Sequence, residues 1–146
     1  MEALSLISKT VLHLALFAAS LWDIRQRKLP IAFMALLFAT GLVMQLVIGE
    51  LSIWEIALGI LTGGLLTGVS FISKQAIGLG DALMFVASGA FLGLINNLWL
   101  MLLSFSLAAV CSVVLIILRK ARWKSSIPFM PFMFTAHIVL QLLYCL

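Results

Sequence analysis

Six apolar segments, each long enough to cross a lipid bilayer or nearly so, dominate this sequence and leave few ways to fold it. A spanning helix needs about 20 mostly apolar residues, and a bilayer interior admits only helices and closed barrels, because every backbone polar group must be paired there. These segments do not alternate apolar and polar residues as barrel strands do. The sequence therefore predicts an all-α integral membrane protein, a bundle of about six transmembrane helices. The predicted spans are residues 3–22, 31–49, 53–72, 81–96, 98–118 and 128–145.

The composition excludes an ordinary water-soluble domain. Of the 146 residues, 64% are hydrophobic and 10% are charged, whereas soluble domains are about half apolar and a quarter charged. The length suits one compact bundle, so we expect a single membrane-embedded domain over residues 1–146. The two cysteines, Cys111 and Cys145, form neither a disulfide framework nor a zinc motif.

The basic residues predict the orientation of this bundle. Eight of the nine lysines and arginines fall at three connections that share one side of the membrane. The positive-inside rule makes that side cytoplasmic and puts both termini outside. The same charges would also attract anionic membrane lipids. These residues are Arg25, Arg27, Lys28, Lys74, Arg119, Lys120, Arg122 and Lys124.

The only aspartates of the chain, Asp23 and Asp81, are predicted to share this cytoplasmic side. Ionisable groups at membrane depth are costly and often functional. Two carboxylates that meet across a bundle can act as a general acid and a general base. Structural alternatives exist for each residue: Asp81 could be the N-cap of its helix, and Asp23 could pair with Arg27 if the first helix continues.

Glycines and prolines occur close to these acids or at the last span. Gly78 and Gly80 precede Asp81 in the sequence Gly-Leu-Gly-Asp. Glycine permits backbone angles closed to other residues and leaves room for close approach, so this turn could admit an extended peptide beside Asp81. Pro128 and Pro131 could keep the start of the last helix irregular, or Pro128 could be an ordinary first-turn proline.

Small residues recur four positions apart in the third and fourth predicted spans. This spacing lets helix backbones approach closely in lipid. We expect the glycines to pack helices within the chain, and a dimer interface is the alternative. The pairs are Gly59 with Gly63, Gly64 with Gly68, and Gly89 with Gly93.

Three segments together resemble the type IV prepilin peptidase family, the membrane aspartic proteases of the Gly-x-Gly-Asp type that process pilin and pseudopilin precursors. Residues 23–30, Asp-Ile-Arg-Gln-Arg-Lys-Leu-Pro, resemble the aspartate, basic stretch and proline after the first core helix of the family. Residues 78–81 match its Gly-x-Gly-Asp. Residues 127–132, Ile-Pro-Phe-Met-Pro-Phe, resemble its Ile-Pro-Phe-x-Pro-Phe. The order and spacing of these segments cover nearly the whole chain.

This resemblance implies an aspartic endopeptidase of the prokaryotic cytoplasmic (inner) membrane, with Asp23 and Asp81 as its catalytic pair. The implied partner is the signal helix of a prepilin or pseudopilin, a precursor for type IV pilus assembly or protein secretion. Its short basic leader would be cut at the cytoplasmic membrane face. The residues expected to bind substrate or shape the site are Gly78, Gly80, Arg27, Pro128 and Pro131.

The chain resembles a short form of the family, because the sequence contains no N-terminal cytoplasmic segment with paired Cys-x-x-Cys motifs. It also has Leu83, Ile31 and Met130 where many members have lysine, asparagine and glycine. These departures retain both carboxylates and give no support to the methyl transfer of the longer members.

Two non-enzymatic alternatives use the same aspartates. A small transporter could use Asp23 and Asp81 to bind a cation or relay protons, and a degenerate relative could bind signal helices without cutting them. No cofactor or metal is expected, since no His-Glu-x-x-His motif occurs, and His13 and His137 are expected to be packed or interfacial. No nucleic-acid partner is expected, because the basic connections lack interleaved aromatic residues.

Overall fold

The computed structural model describes residues 2–73, 78–118 and 127–145, and all regular structure within these residues is α-helical. The predicted all-α fold is confirmed. Among the predicted cytoplasmic basic residues, Lys74, Arg119, Lys120, Arg122 and Lys124 lie outside the described part. The helices are α1 (Glu2–Gln26), α2 (Ile31–Ile48), α3 (Ile53–Ile72), α4 (Leu79–Ile117) and α5 (Met130–Cys145).

The outer surface of the bundle is apolar. Helices α1 to α4 are long and apolar enough to cross a membrane, and α5 is a shorter apolar helix. Leu46 on α2 and Ile72 on α3 leave 80% and 86% of their surface exposed. Extensive apolar surface of this kind is suited to contact with lipid. The helices thus support a membrane protein, while the count of six spans and the outward location of both termini stay predictions.

The ends of α2 and α3 follow from local sequence. Gly49 ends α2 with a left-handed φ of 67°, and its N–H donates to the carbonyl oxygen of Gln45 at 2.8 Å; glycine adopts this conformation without steric cost. Ser52 begins α3 with a capping box. Its backbone N–H donates to Glu55 Oε2 at 2.8 Å, and its Oγ accepts from the Glu55 N–H at 3.3 Å. The hydrogen bonds that end α2 and begin α3 are therefore made between neighbouring residues.

Helix α4 is bent sharply at Gly93, which divides it into a first arm (residues 79–92) and a second arm (residues 94–117). Gly93 has φ 70° and ψ −169°, a region essentially restricted to glycine. The side-chain amide of Asn97 donates to the carbonyl oxygen of Phe85 at 3.1 Å, although twelve residues of straight helix would separate them by about 18 Å. The two arms therefore fold back against each other.

This bend corrects the predicted boundary between the fourth and fifth spans. The sequence predicts separate spans at residues 81–96 and 98–118, with Asn97 in the connection between them. Asn97 is instead helical and fully buried. It donates to Thr62 Oγ1 at 2.9 Å and accepts from Ser88 Oγ at 2.8 Å. A polar side chain at this depth is tolerated because its hydrogen bonds are made within the protein.

Helix α3 and the first arm of α4 are in direct backbone contact along a glycine seam formed by Gly59, Gly63 and Gly89. A Cβ atom on Gly59 would lie 2.6 Å from the carbonyl oxygen of Gly89, and one on Gly63 would collide with the backbone of the first arm. The predicted packing within the chain is confirmed for these residues. The next pair, Gly64 and Gly68, has no atom within 4 Å of a Cβ position.

Candidate active site

Asp23 lies in the last turn of α1, against the first turn of α5. Its side chain is 8% exposed, and its Oδ2 accepts a 3.0 Å hydrogen bond from the backbone N–H of Met130. Helix α1 ends at Gln26, and Arg27 has a left-handed φ of 52°. The alternative pairing with Arg27 required the helix to continue, and this condition is not met.

The burial of Asp23 follows from the spacing of residues on α1. Leu12, Leu16 and Ala19 are buried and recur at helical spacing, so they form one face of the helix. Asp23 is four residues after Ala19 and continues this face. The face packs against α5, where Met133 is also fully buried. The apolar stripe therefore directs the carboxylate toward the start of α5.

Asp81 is the third residue of α4, and its side chain is partly buried. The N-cap of α4 is Gly78, which makes no side-chain capping bond. The alternative in which Asp81 is the N-cap is therefore wrong. A carboxylate in the first turn of a helix is still favoured by the helix dipole. No hydrogen bond joins the Asp81 side chain to another residue in the described part of the chain.

One cavity of about 420 Å³ joins the two aspartates. It is formed where α1 ends, where α2 and α4 begin and just before α5, so all of its walls belong to one end of the bundle. The carboxylates of Asp23 and Asp81 are close enough to repel each other electrostatically. The lining residues are Asp23, Arg27, Lys28, Leu29, Ile31, Met34, Gly78, Leu79, Gly80, Asp81, Ile127, Pro128 and Phe129.

The two glycines before Asp81 differ in their surroundings. A Cβ atom on Gly78 would lie 2.6 Å from Asp81 Oδ2, whereas nothing lies within 4 Å of the position for Gly80. Gly78 has φ −57° and ψ 129°, which other residues also adopt. The expectation of glycine-only backbone angles is therefore wrong for Gly78. Its lack of a side chain leaves room for the Asp81 carboxylate, and Gly80 leaves open space on the cavity wall.

The prolines occupy different places from those expected. Pro128 lies in the non-helical residues 127–129 and lines the cavity, so it is not a first-turn proline. Pro131 is the second residue of α5 and does not line the cavity. The helix is regular from its start, since the N–H groups of Phe132 and Met133 both donate to the Phe129 carbonyl oxygen, at 3.0 and 3.3 Å. Proline is tolerated in the first turn of a helix because the backbone N–H groups there have no partner within the helix, so the absence of one costs no hydrogen bond.

Sequence reasoning missed the contact between Asp23 and Met130. Proline has no backbone N–H, so Met130, between Phe129 and Pro131, begins α5 with an N–H that has no partner within the helix. Residues 127–132 were therefore sufficient to predict that the N–H of Met130 needs a hydrogen-bond partner outside its helix. They were not sufficient to identify the acceptor, because Asp23 is 107 residues away.

Arg27 and Lys28 bring positive charge to the same cavity. Both side chains are exposed, although both contribute to its wall. Two basic and two acidic residues therefore share one space. Because both side chains are exposed, this part of the cavity wall can contact water or anionic lipid head groups.

The two histidines also meet, at a different place. The rings of His13 and His137 are 5.9 Å apart between centroids, and His13 packs against Phe134 at 5.0 Å. Ten residues of α1, or about 15 Å of helix, separate His13 from Asp23. Within the described residues, no group of three or more histidine, cysteine, aspartate or glutamate side chains could hold a metal ion.

A second cavity of about 320 Å³ lies along the outer face of α1, lined by Ala18, Leu21, Trp22, Arg25 and Gln26. All of its walls come from one helix, and none of them is acidic. It is a groove in the apolar surface rather than a place where distant residues converge.

Comparison with known proteins gives one family. A family model described as the type IV leader peptidase family matches residues 10–118. The match covers more than half of the chain and includes Asp23 and Asp81, while residues 127–132 lie beyond it. Neither the curated proteins nor the solved structures gave a match.

Proposed function

Because the chain belongs to the type IV leader peptidase family, we propose that it is a membrane aspartic endopeptidase that removes the basic leader of prepilin-like precursors. The observation that carries this proposal is the convergence of Asp23 and Asp81 on one cavity. They are the only two aspartates of the chain, and helices distant in sequence supply them.

The proposed chemistry uses the two carboxylates as a pair. Two carboxylates held close in a poorly hydrated site cannot both ionise cheaply, so they share one proton. The ionised carboxylate accepts a proton from water as the water oxygen attacks the scissile carbonyl carbon. The neutral carboxyl donates its proton to the carbonyl oxygen. Return of a proton to the amide nitrogen then lets the C–N bond break and releases the leader.

The proposed substrate is a short basic leader followed by an apolar helix. Such a peptide must be extended at the cleaved bond, and the open space over Gly80 supports an extended segment lying beside Asp81. The cavity lies at one end of the bundle, a position that suits a bond at the membrane boundary. With Arg25, Arg27 and Lys28 at the same end, the positive-inside rule favours the cytoplasmic face of a prokaryotic inner membrane.

Co-expression with a candidate prepilin tests this function. Asp23→Asn and Asp81→Asn should each reduce leader removal by at least about 10²-fold, because each removes one partner of the acid–base pair. Glu50→Gln is the matched control: it neutralises an exposed acid outside the cavity and should leave cleavage unchanged. Membrane insertion should be the same for all four proteins.

Other results would reject the proposal. Continued processing by both aspartate variants would exclude the dyad. Ion flux through the wild-type protein without cleavage would favour a transporter. Binding of the precursor without cleavage would favour a protein that only recognises signal helices.

A further inference from the structure

Among the first three residues of α5, only Met130 has an N–H without a partner in its own helix, and this N–H donates to Asp23. The first N–H groups of a helix have no partner within the helix. Pro131 has no N–H, and the N–H of Phe132 bonds to the Phe129 carbonyl oxygen. Among residues 130–132, the N–H of Met130 is therefore left without a helical partner, and it donates to Asp23 Oδ2 at 3.0 Å. Asp23 thus caps α5 from another helix.

This bond is buried. Met130 is 0% exposed and Asp23 is 8% exposed, so water competes little for either atom. A hydrogen bond to an ionised acceptor is roughly twice as strong as a neutral one, and the positive end of a helix adds to it. Within residues 2–73, 78–118 and 127–145, a protein donor bonds to Oδ2 of Asp23 and none bonds to Oδ1. One oxygen is anchored while the other stays available to a water molecule.

Asp81 makes no equivalent contact with the residues that the structure describes. No described side chain or backbone N–H donates to its carboxylate, and α4 begins without a side-chain cap. The charged groups that share the cavity with Asp23 are Asp81, Arg27 and Lys28. The last two are exposed, whereas the N–H of Met130 is buried. The Met130 contact is therefore the feature that most clearly distinguishes the two carboxylates.

We infer that the backbone N–H of Met130 positions Asp23 for catalysis and keeps the negative charge of the pair on it, so that Asp23 accepts the proton from water and Asp81 carries the shared proton. The inference rests on the proposed peptidase function and assigns a role to each member of the pair. Met130 acts through Asp23, so it is a positioning residue whose side chain is not required.

Met130→Pro tests the donor, with Met130→Ala as the matched control. Proline removes the N–H and is tolerated at the first position of a helix, while alanine also loses the methionine side chain but retains the N–H. On a synthetic precursor peptide, the proline variant should have a kcat about 10- to 100-fold below that of the alanine variant, because it loses a hydrogen bond to a charged group. KM should agree within about twofold.

The pH dependence separates positioning from a loss of packing. Without the N–H, the ionised form of the pair loses a stabilising partner, so the acidic limb of the pH–rate profile should move to higher pH in the proline variant only. Equal kcat and equal acidic limbs for the two variants would overturn the inference.

Amide hydrogen exchange tests the contact between Met130 and Asp23 without a cleavage assay, so it can be used even if the proline variant does not fold. In protein labelled with [15N]methionine, the amide of Met130 should exchange with solvent faster in Asp23→Ala than in wild type, and not in Asp81→Ala. Equal exchange in all three proteins would overturn the inference. A different outcome is faster exchange in Asp23→Ala combined with a wild-type protein that cuts no precursor. This outcome would reject the peptidase function, and the contact between Met130 and Asp23 would then be only a helix cap.

Discussion

The glycine seam and the aspartate cavity both bury polar groups, but they differ in how completely those groups are paired. In the seam, Asn97 is fully buried and its amide donates to Gly59, Thr62 and Phe85 and accepts from Ser88. In the cavity, the two carboxylates receive one protein hydrogen bond, at Asp23, within the described residues.

This difference indicates which region stabilises the fold and which is available for chemistry. Buried polar groups with all their hydrogen bonds fix one arrangement of the surrounding helices. A buried carboxylate with a free oxygen and a cavity beside it is poorly suited to that role, because its desolvation is not repaid. Substitutions in the seam should therefore reduce folding, whereas those in the cavity should reduce activity in a folded protein.

The largest expected effect is that of Gly63→Ala in the seam. The added Cβ would collide with the backbone of the first arm, which cannot rotate away as a side chain can. Overpacking costs about 1–3 kcal/mol and occasionally more, and a collision with backbone falls at the upper end of this range; such a loss is a large part of the stability of a small domain. Thermal unfolding in detergent should show a strongly lowered midpoint and a low yield of folded protein.

The adjacent Gly64→Ala provides the control, since its Cβ would meet nothing within 4 Å. Its midpoint should be unchanged or slightly raised, because alanine favours a helix more than glycine does. Equal losses in both variants would show that α3 tolerates no side chain at either position and would remove the distinction between the seam and the open face.

A smaller effect, on activity alone, is expected for Gly78→Ala in the cavity. Its Cβ would lie 2.6 Å from Asp81 Oδ2 and would push the carboxylate out of place. A displacement of about 1 Å can cost up to about 10²-fold in rate. Cleavage assays should show a reduced kcat with an unchanged unfolding midpoint.

Gly80→Ala separates the position of Asp81 from access of the substrate. This Cβ would touch no described atom of the protein, so a raised KM with a nearly unchanged kcat is expected if the peptide lies over Gly80. Wild-type kinetics for Gly80→Ala would place the substrate elsewhere, and wild-type kcat for Gly78→Ala would show that Asp81 tolerates displacement.

The smallest expected effect is that of Arg27→Gly at the edge of the cavity. Arg27 has φ 52°, a left-handed conformation that costs a side chain about 1 kcal/mol, so glycine should raise the unfolding midpoint by a few degrees. Arg27→Ala retains the strained backbone conformation, so its unfolding midpoint should not rise. If the guanidinium group contributes to cleavage, both variants should lose the same activity. A gain in stability from alanine as well would show that the side chain, and not the backbone, is unfavourable.

Local signals in the sequence were sufficient for most of the fold. The predicted third span, residues 53–72, agrees with α3, because Ser52 and Glu55 start that helix through neighbouring residues alone. The last helix began two residues later than predicted, since Pro128 stays outside it. The bend in α4 was misplaced because a polar Asn97 resembles a loop residue, and only its contacts with α3 show that it is a buried helical one.

The sequence by itself determined that this chain forms apolar helices, because that property depends on residue type and spacing along each segment. The alternation of the apolar segments and the basic connections also predicted that the two aspartates lie near one end of the helices. The tertiary structure decided that α4 turns at Gly93, that Gly59 and Gly63 rather than Gly64 and Gly68 meet a neighbouring helix, and that Met130 donates to Asp23. Each of these depends on a partner distant in sequence or on which face of a helix is covered. The physical reason is that a hydrogen bond or a backbone contact requires two groups within a few ångströms, and for groups far apart along the chain only packing brings them together.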